Sequence, residues 1–137
     1  MASPGDFVGL KWSGMGPAAM RLMKADAPPS KAMDEAMHAL CVAARDRGIS
    51  LLPAAEETWS LSGFYSWTLR MQRVYNAAAG GKKGESVVYG TYQAYLRQTP
   101  ETLSAHLTTA RKEGWTAAVK LVRGAYLGSE KRALIHP

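Results

Sequence analysis

The stretch 117–130, AAVKLVRGAYLGSE, decides the fold. Ala117 to Val122 form a short apolar run without strict alternation, as in a strand covered on both faces. Lys120 nevertheless lies inside this run, Arg123 closes it, and Gly124-Ala125-Tyr126 follow. Successive side chains of a strand leave opposite faces. Lys120 and Val122 therefore share one face, and Val119, Leu121 and Arg123 share the other. A cation in a covered strand is costly unless it meets an anion or a strong acceptor. The pattern predicts a parallel sheet with its chemistry at the strand tips and Lys120 on the inner face.

The same alternation of periods recurs upstream. Thr99-Pro100-Glu101 opens a helix with Leu103, Leu107 and Ala110 on one face, and Gly114 follows its end. Ser86 to Thr91 reads as a strand, preceded by a connector over 77–84 without periodicity. Phe64, Trp67, Met71 and Val74 have helical spacing. Ile49 to Leu52 is another strand, stopped at Pro53. Ser30 caps a helix with Met33, Met37, Leu40 and Ala44 on one face, ended by Gly48. Pro17 opens a short helix to Lys24, and Phe7 to Lys11 is the first strand. Ser129-Glu130 reads as the cap of one more helix.

The order is β-α-β-α-β-α-β, one unit per roughly 30 to 40 residues, the approximate repeat of a (β/α)₈ TIM-type barrel. A doubly wound sheet gives the same order and is the second candidate. Only about four βα units are present, so residues 1–137 are expected to be one domain forming a partial barrel. Half a barrel exposes two parallel edges. We therefore expect an internal piece of a longer protein, one that could complete eight strands by itself only through dimerisation.

Composition narrows the function classes. Hydrophobic residues make up 47% of the 137-residue chain, enough to bury a core. No apolar run approaches the ~18 residues of a membrane helix, and MASPGDFVGLKWSG lacks the pattern of a signal peptide. The single cysteine, Cys41, excludes an internal disulfide and reads as a small core residue. The net charge of +6 is scattered along the chain, which suits an anionic small ligand better than nucleic acid. Gly14-Met15-Gly16 resembles a dinucleotide loop, but the acidic residue expected about 20 positions later is missing. His38 and His106 have no partner spacing, and neither a metal-ligand cluster nor a nucleophile motif is present.

At the strand tips the candidates are Lys11, Glu56, Gln93, Lys120, Arg123 and Tyr126. Glu56 could pair a buried ammonium. The Gln93 amide both donates and accepts, which suits a heterocycle edge. Gly124 and Ala125 admit close approach of the main chain to a flat ligand, and Tyr126 offers a ring face.

Five segments then acquire a common meaning: LKWSGMGP, PPSKAMDEA, LLPAAEETW, VYGTYQAYL and KLVRGAYLGSE. In this order they resemble the proline dehydrogenase (proline oxidase) family, most closely its fungal form. The resemblance implies a (β/α)₈ barrel holding FAD and oxidation of L-proline to 1-pyrroline-5-carboxylate. It further implies electron transfer to a membrane quinone, a mitochondrial location, and peripheral membrane association of the full-length protein. Lys11 matches a lysine beside bound proline, and Tyr126 an aromatic packed on the substrate ring. Gln93 matches a flavin-contacting glutamine, and Lys120 a basic residue near the reactive edge of the isoalloxazine. Val122, Gly124 and Ala125 match positions whose main chain lines the flavin. The family's DAE sequence is replaced here by Ala54-Ala55-Glu56, so the aspartate's role does not transfer to Ala54. No segment matches the arginine pair that holds the proline carboxylate, nor most of the FAD phosphate and adenine site. Two other readings stay open: a Schiff-base aldolase using Lys120, and an inactive, truncated half barrel that pairs only with itself.

Overall fold

The computed structural model of the chain describes residues 5–54, 60–77 and 86–123. Most of the 77–84 connector and the helix expected from Ser129-Glu130 lie outside these residues. The described elements follow the expected order: β1 (Phe7–Leu10), α1 (Pro17–Lys24), α2 (Lys31–Arg47), β2 (Ser50–Pro53), α3 (Leu61–Tyr75), β3 (Tyr89–Gln93), α4 (Thr99–Glu113) and β4 (Ala118–Val122). Local chemistry explains the boundaries. Pro17 occupies the first turn of α1. The Ser30 hydroxyl accepts the Met33 N–H at 3.2 Å and caps α2. Gly48 and Gly114 end α2 and α4 in the left-handed region, at φ 68° and 79°.

Both strand pairs among the described residues are parallel. Phe7 lies opposite Ser50, and Tyr89 opposite Ala118. A parallel bridge between Leu51 and Val88 joins the two pairs, so the strands follow chain order. The Thr91 hydroxyl reinforces that junction by donating to the Pro53 carbonyl at 2.6 Å.

The described helices gather on one face of this sheet. Ala19 and Met23 of α1, Met37 and Cys41 of α2, and Phe64, Trp67 and Met71 of α3 form one core with Leu51 and Val88. Burial pushes the Cys41 thiol up to about 12, in keeping with a packing role. At Gly63, α3 lies directly on the backbone of α1, since a Cβ there would come within 2.2 Å of the Met23 carbonyl oxygen. The opposite face begins with Phe7, whose ring meets Tyr89 edge-on at 5.4 Å while remaining 55% exposed.

Three expected core residues are displaced outward: Leu40, Val74 and Leu107 are 40%, 54% and 40% exposed. Cys41, Gln72 and His106 turn inward from the same helices. Two of these are polar, and the helix–sheet junction needs them. Gln72 Nε2 donates to the Val88 and Ala118 carbonyls at 3.2 and 3.3 Å. Asn76, just past α3, donates through Nδ2 to the Val88 and Thr116 carbonyls at 2.8 and 3.0 Å. Its Oδ1 accepts the Val87 and Val88 N–H groups at 2.9 and 3.1 Å. Those bonds divert Val87 and Val88 from the regular ladder, so β3 starts at Tyr89 and not at Ser86. β2 also extends one residue further than expected, through Pro53, whose carbonyl receives Thr91.

Among the described residues no helix is long and apolar enough to cross a membrane, and no group of three or more His, Cys, Asp or Glu residues could hold a metal ion.

Candidate functional site at the strand tips

The tips of the strands are tied level by backbone hydrogen bonds. Ala54 N donates to the Leu10 carbonyl and Ala94 N to the Val122 carbonyl, at 2.8 and 2.9 Å. Lys11 sits one residue beyond β1 in extended geometry, φ −132° and ψ 129°, with its side chain exposed. Gln93 ends β3 and is 1% exposed. Its carbonyl accepts the Thr99 hydroxyl at 2.6 Å and the Leu96 N–H at 3.1 Å. The start of α4 thereby anchors the tip of β3.

Tyr92 fixes which way the tips face. Its hydroxyl reaches His106 Nδ1 of α4 at 2.7 Å, so Tyr92 projects to the helix side. Thr91 and Gln93 leave the opposite face. Lys120 lies opposite Thr91, and Val122 opposite Gln93. Lys120 is exposed on the face away from the helices, and Leu121, on the helix side, is 59% exposed. One face therefore carries both Lys120 and the buried amide of Gln93, and Lys11 extends β1 beyond its carboxyl end. Arg123 follows β4 and is exposed. Glu56, Gly124, Ala125 and Tyr126 lie outside the described residues.

Sequence reasoning missed Thr99 and the Tyr92–His106 pair. Thr99 read only as a helix start, although a hydroxyl six residues after a strand-end amide is a signal for such an anchor. Tyr65 stacks on Tyr92 at 5.2 Å with 24° between rings, and His106 meets the Tyr65 ring edge-on at 5.1 Å. Burial, then the neighbouring Tyr65, pushes the Tyr92 phenol well up. Burial, then Tyr95, raises Tyr65 to about 12. Burial, then the charge of Arg73, lowers His106.

Parallel strands with intervening helices define an α/β protein, the class in which ligands bind at the carboxyl ends of the strands. The family model for proline dehydrogenase matches residues 2–135, and the chain belongs to that family of oxidoreductases. It is similar to a probable mitochondrial proline dehydrogenase of Schizosaccharomyces pombe, 38% identical over 97 residues, 71% of this chain and 18% of that protein. Mitochondrial proline dehydrogenase 1 of Homo sapiens is 34% identical over 99 residues, 72% of this chain and 16% of that protein. A hydroxyproline dehydrogenase of Mus musculus is 34% identical over 95 residues, 69% and 20% of the two chains. The chain thus corresponds to about a fifth or less of each of these relatives. No solved structure matches it significantly.

Proposed function

We propose that this chain forms part of the catalytic (β/α)₈ barrel of an FAD-dependent proline dehydrogenase. The whole protein would oxidise L-proline to 1-pyrroline-5-carboxylate and pass the electrons to a quinone. The observation that carries the proposal is the placement of Gln93, at the carboxyl end of β3, and of Lys120, two residues before the end of the adjacent parallel β4, on the face away from the described helices. Helices gathered on one face favour a barrel over a doubly wound sheet, which is covered on both. The donor set fits an isoalloxazine. The Gln93 amide can meet a heterocycle edge, and the Lys120 ammonium can answer negative charge gathering on a ring.

FAD, when bound, supplies the acceptor for the hydride leaving the C5 position of the proline ring. This chain's residues position and tune. Gln93 orients the ring edge, with its own backbone held by Thr99. Lys120 would stabilise the added electron density; by the family resemblance, Val122, Gly124 and Ala125 would hold the cofactor through their main chain. By the same resemblance, Lys11 would face the proline and Tyr126 would serve the substrate ring. A mitochondrial location of the whole protein is supported by the names of relatives such as those of Schizosaccharomyces pombe and Homo sapiens, and a quinone acceptor would call for peripheral contact with the membrane.

The test is anaerobic mixing of L-proline with the FAD-loaded protein. Loss of the oxidised-flavin absorbance is expected, with Lys120→Met slowing it by roughly tenfold or more. A protein that stays colourless when FAD is supplied, or whose bound flavin is not reduced by proline, overturns the reading.

A further inference from the structure

The Tyr92–His106 pair takes no part in the chemistry at the strand tips, yet it borders a groove of about 410 Å³ between α3 and α4. That volume falls within the range of small-molecule sites, about 300–1,000 Å³. Apolar walls come from Leu61 and Leu69, a ring from Tyr65, and polar groups from Gln98, Thr102 and His106. No charged side chain lines the groove among the described residues.

The state of the imidazole follows from its neighbours. Tyr92 is 2% exposed, and His106 Nδ1, 2.7 Å away, is the acceptor that the structure offers its hydroxyl proton. A buried hydroxyl must place that proton, so Nδ1 accepts. Burial and the charge of Arg73 keep the ring neutral near pH 7. The one ring proton then lies on Nε2. No protein acceptor meets Nε2 among the described residues, and the ring lines the groove. The groove thus has, at His106, an N–H donor of fixed tautomer, set beside the ring of Tyr65. Tyr65 is itself braced by its stack on Tyr92.

We propose that this groove binds a neutral, planar aromatic carbonyl compound, with its ring against Tyr65 and its carbonyl oxygen accepting the Nε2–H of His106. This site lies on the helix side, apart from the strand tips, and does not depend on the proline-oxidising function.

Benzamide is the probe, titrated into the whole protein while the imidazole nitrogens and Nε2–H proton of His106 are followed by NMR. The free protein is expected to show the Nε2–H tautomer, and benzamide to shift that proton saturably. Benzoate, which finds no cation in the groove, is expected to leave it unmoved. Thr102→Phe fills the groove from α4 and is expected to weaken benzamide by roughly tenfold or more. An Nδ1–H tautomer in the free protein overturns the proposal. So does the absence of a saturable shift, equal binding of benzoate, or unchanged affinity in a folded Thr102→Phe variant. The tautomer and the benzoate comparison are read on the unaltered protein, so the test survives a variant that fails to fold.

Discussion

Polar groups are treated in opposite ways on the two faces of the sheet. On the helix side, Asn76 is 2% exposed and makes four hydrogen bonds to backbone groups of the segments it joins. Gln72 of α3 bridges the Val88 carbonyl, just before β3, and the Ala118 carbonyl of β4. On the other face Lys11 and Lys120 are exposed, and no ion pair holds either of them among the described residues. A buried amide with all its partners is scaffold, because losing it strands several backbone groups. A cation left exposed on or beside the sheet contributes little to folding and is available to a ligand. Substitutions on the two faces should therefore separate, the helix side in stability and the open face in chemistry.

The largest expected effect is at Gly63. In an open helix, alanine in place of glycine is stabilising by up to about 1 kcal/mol. Here the added Cβ would sit 2.2 Å from the Met23 carbonyl oxygen and 2.5 Å from its Cα, both backbone atoms of α1. Neither helix can yield without lifting the core. Gly63→Ala is expected to cost roughly 3 kcal/mol or more. Thermal melting by circular dichroism should show a large fall in midpoint or no cooperative transition. A variant as stable as the parent would show that α1 does not lie on α3 as described.

Asn76→Ala comes next. It removes two donors and two acceptor bonds at once, leaving the Val88 and Thr116 carbonyls and the Val87 and Val88 N–H groups to find other partners. Each stranded buried group costs about 1–3 kcal/mol, but water entering the gap re-satisfies most of them, so a total of about 2 kcal/mol is expected in urea unfolding. Asn76→Asp keeps the acceptor but turns a second oxygen toward the Val88 and Thr116 carbonyls in a buried site, and should cost at least as much as Asn76→Ala.

These polar anchors also mark where sequence reading stopped. The helix over Pro17–Lys24 and the Ser30 cap were legible because they depend on residues adjacent in the chain. The face of Lys120 was legible because a strand alternates. The inward turn of Gln72 and His106 was not, since apolar periodicity assigns the core face to Val74 and Leu107. Only partners in other layers show why an amide and an imidazole displace them. The late start of β3 has the same origin, as Asn76 takes the N–H groups of Val87 and Val88. At the site, the order of Lys11, Gln93 and Lys120 could be read directly, whereas the Thr99 hydroxyl behind Gln93 required the tertiary structure.

A smaller, pH-dependent effect is expected from His106. Burial and the charge of Arg73 hold its folded-state pKa below the ordinary value of 6.5. Below that value the unfolded chain binds a proton that the folded ring refuses. Stability therefore falls as pH drops from 6.5 toward the folded pKa, and this contribution then levels off. Asp34 and Glu113 are carboxylates with lowered values, and they weaken the fold only in a more acidic window, below their ordinary 3.8 and 4.5. Urea midpoints measured between about pH 7.5 and about pH 5 isolate the histidine. His106→Gln should flatten the slope in that interval, and an unchanged slope would mean that the ring protonates as freely folded as unfolded.

The smallest expected effect on folding is that of Lys120→Met. The side chain is exposed, and its neighbours across the ladder, Thr91 and Gln93, bond elsewhere, to the Pro53 carbonyl and through the backbone to Thr99. Removing the ammonium strands no partner among the described residues, so the change in unfolding free energy should stay within about 0.5 kcal/mol. A clear rise in stability would carry more information than no change. It would mean that the cation is held at a cost on a face that favours an apolar residue, as expected where charge is kept for a ligand and not for the fold. A loss of several kcal/mol would instead place Lys120 among the scaffold groups and erase the distinction between the two faces.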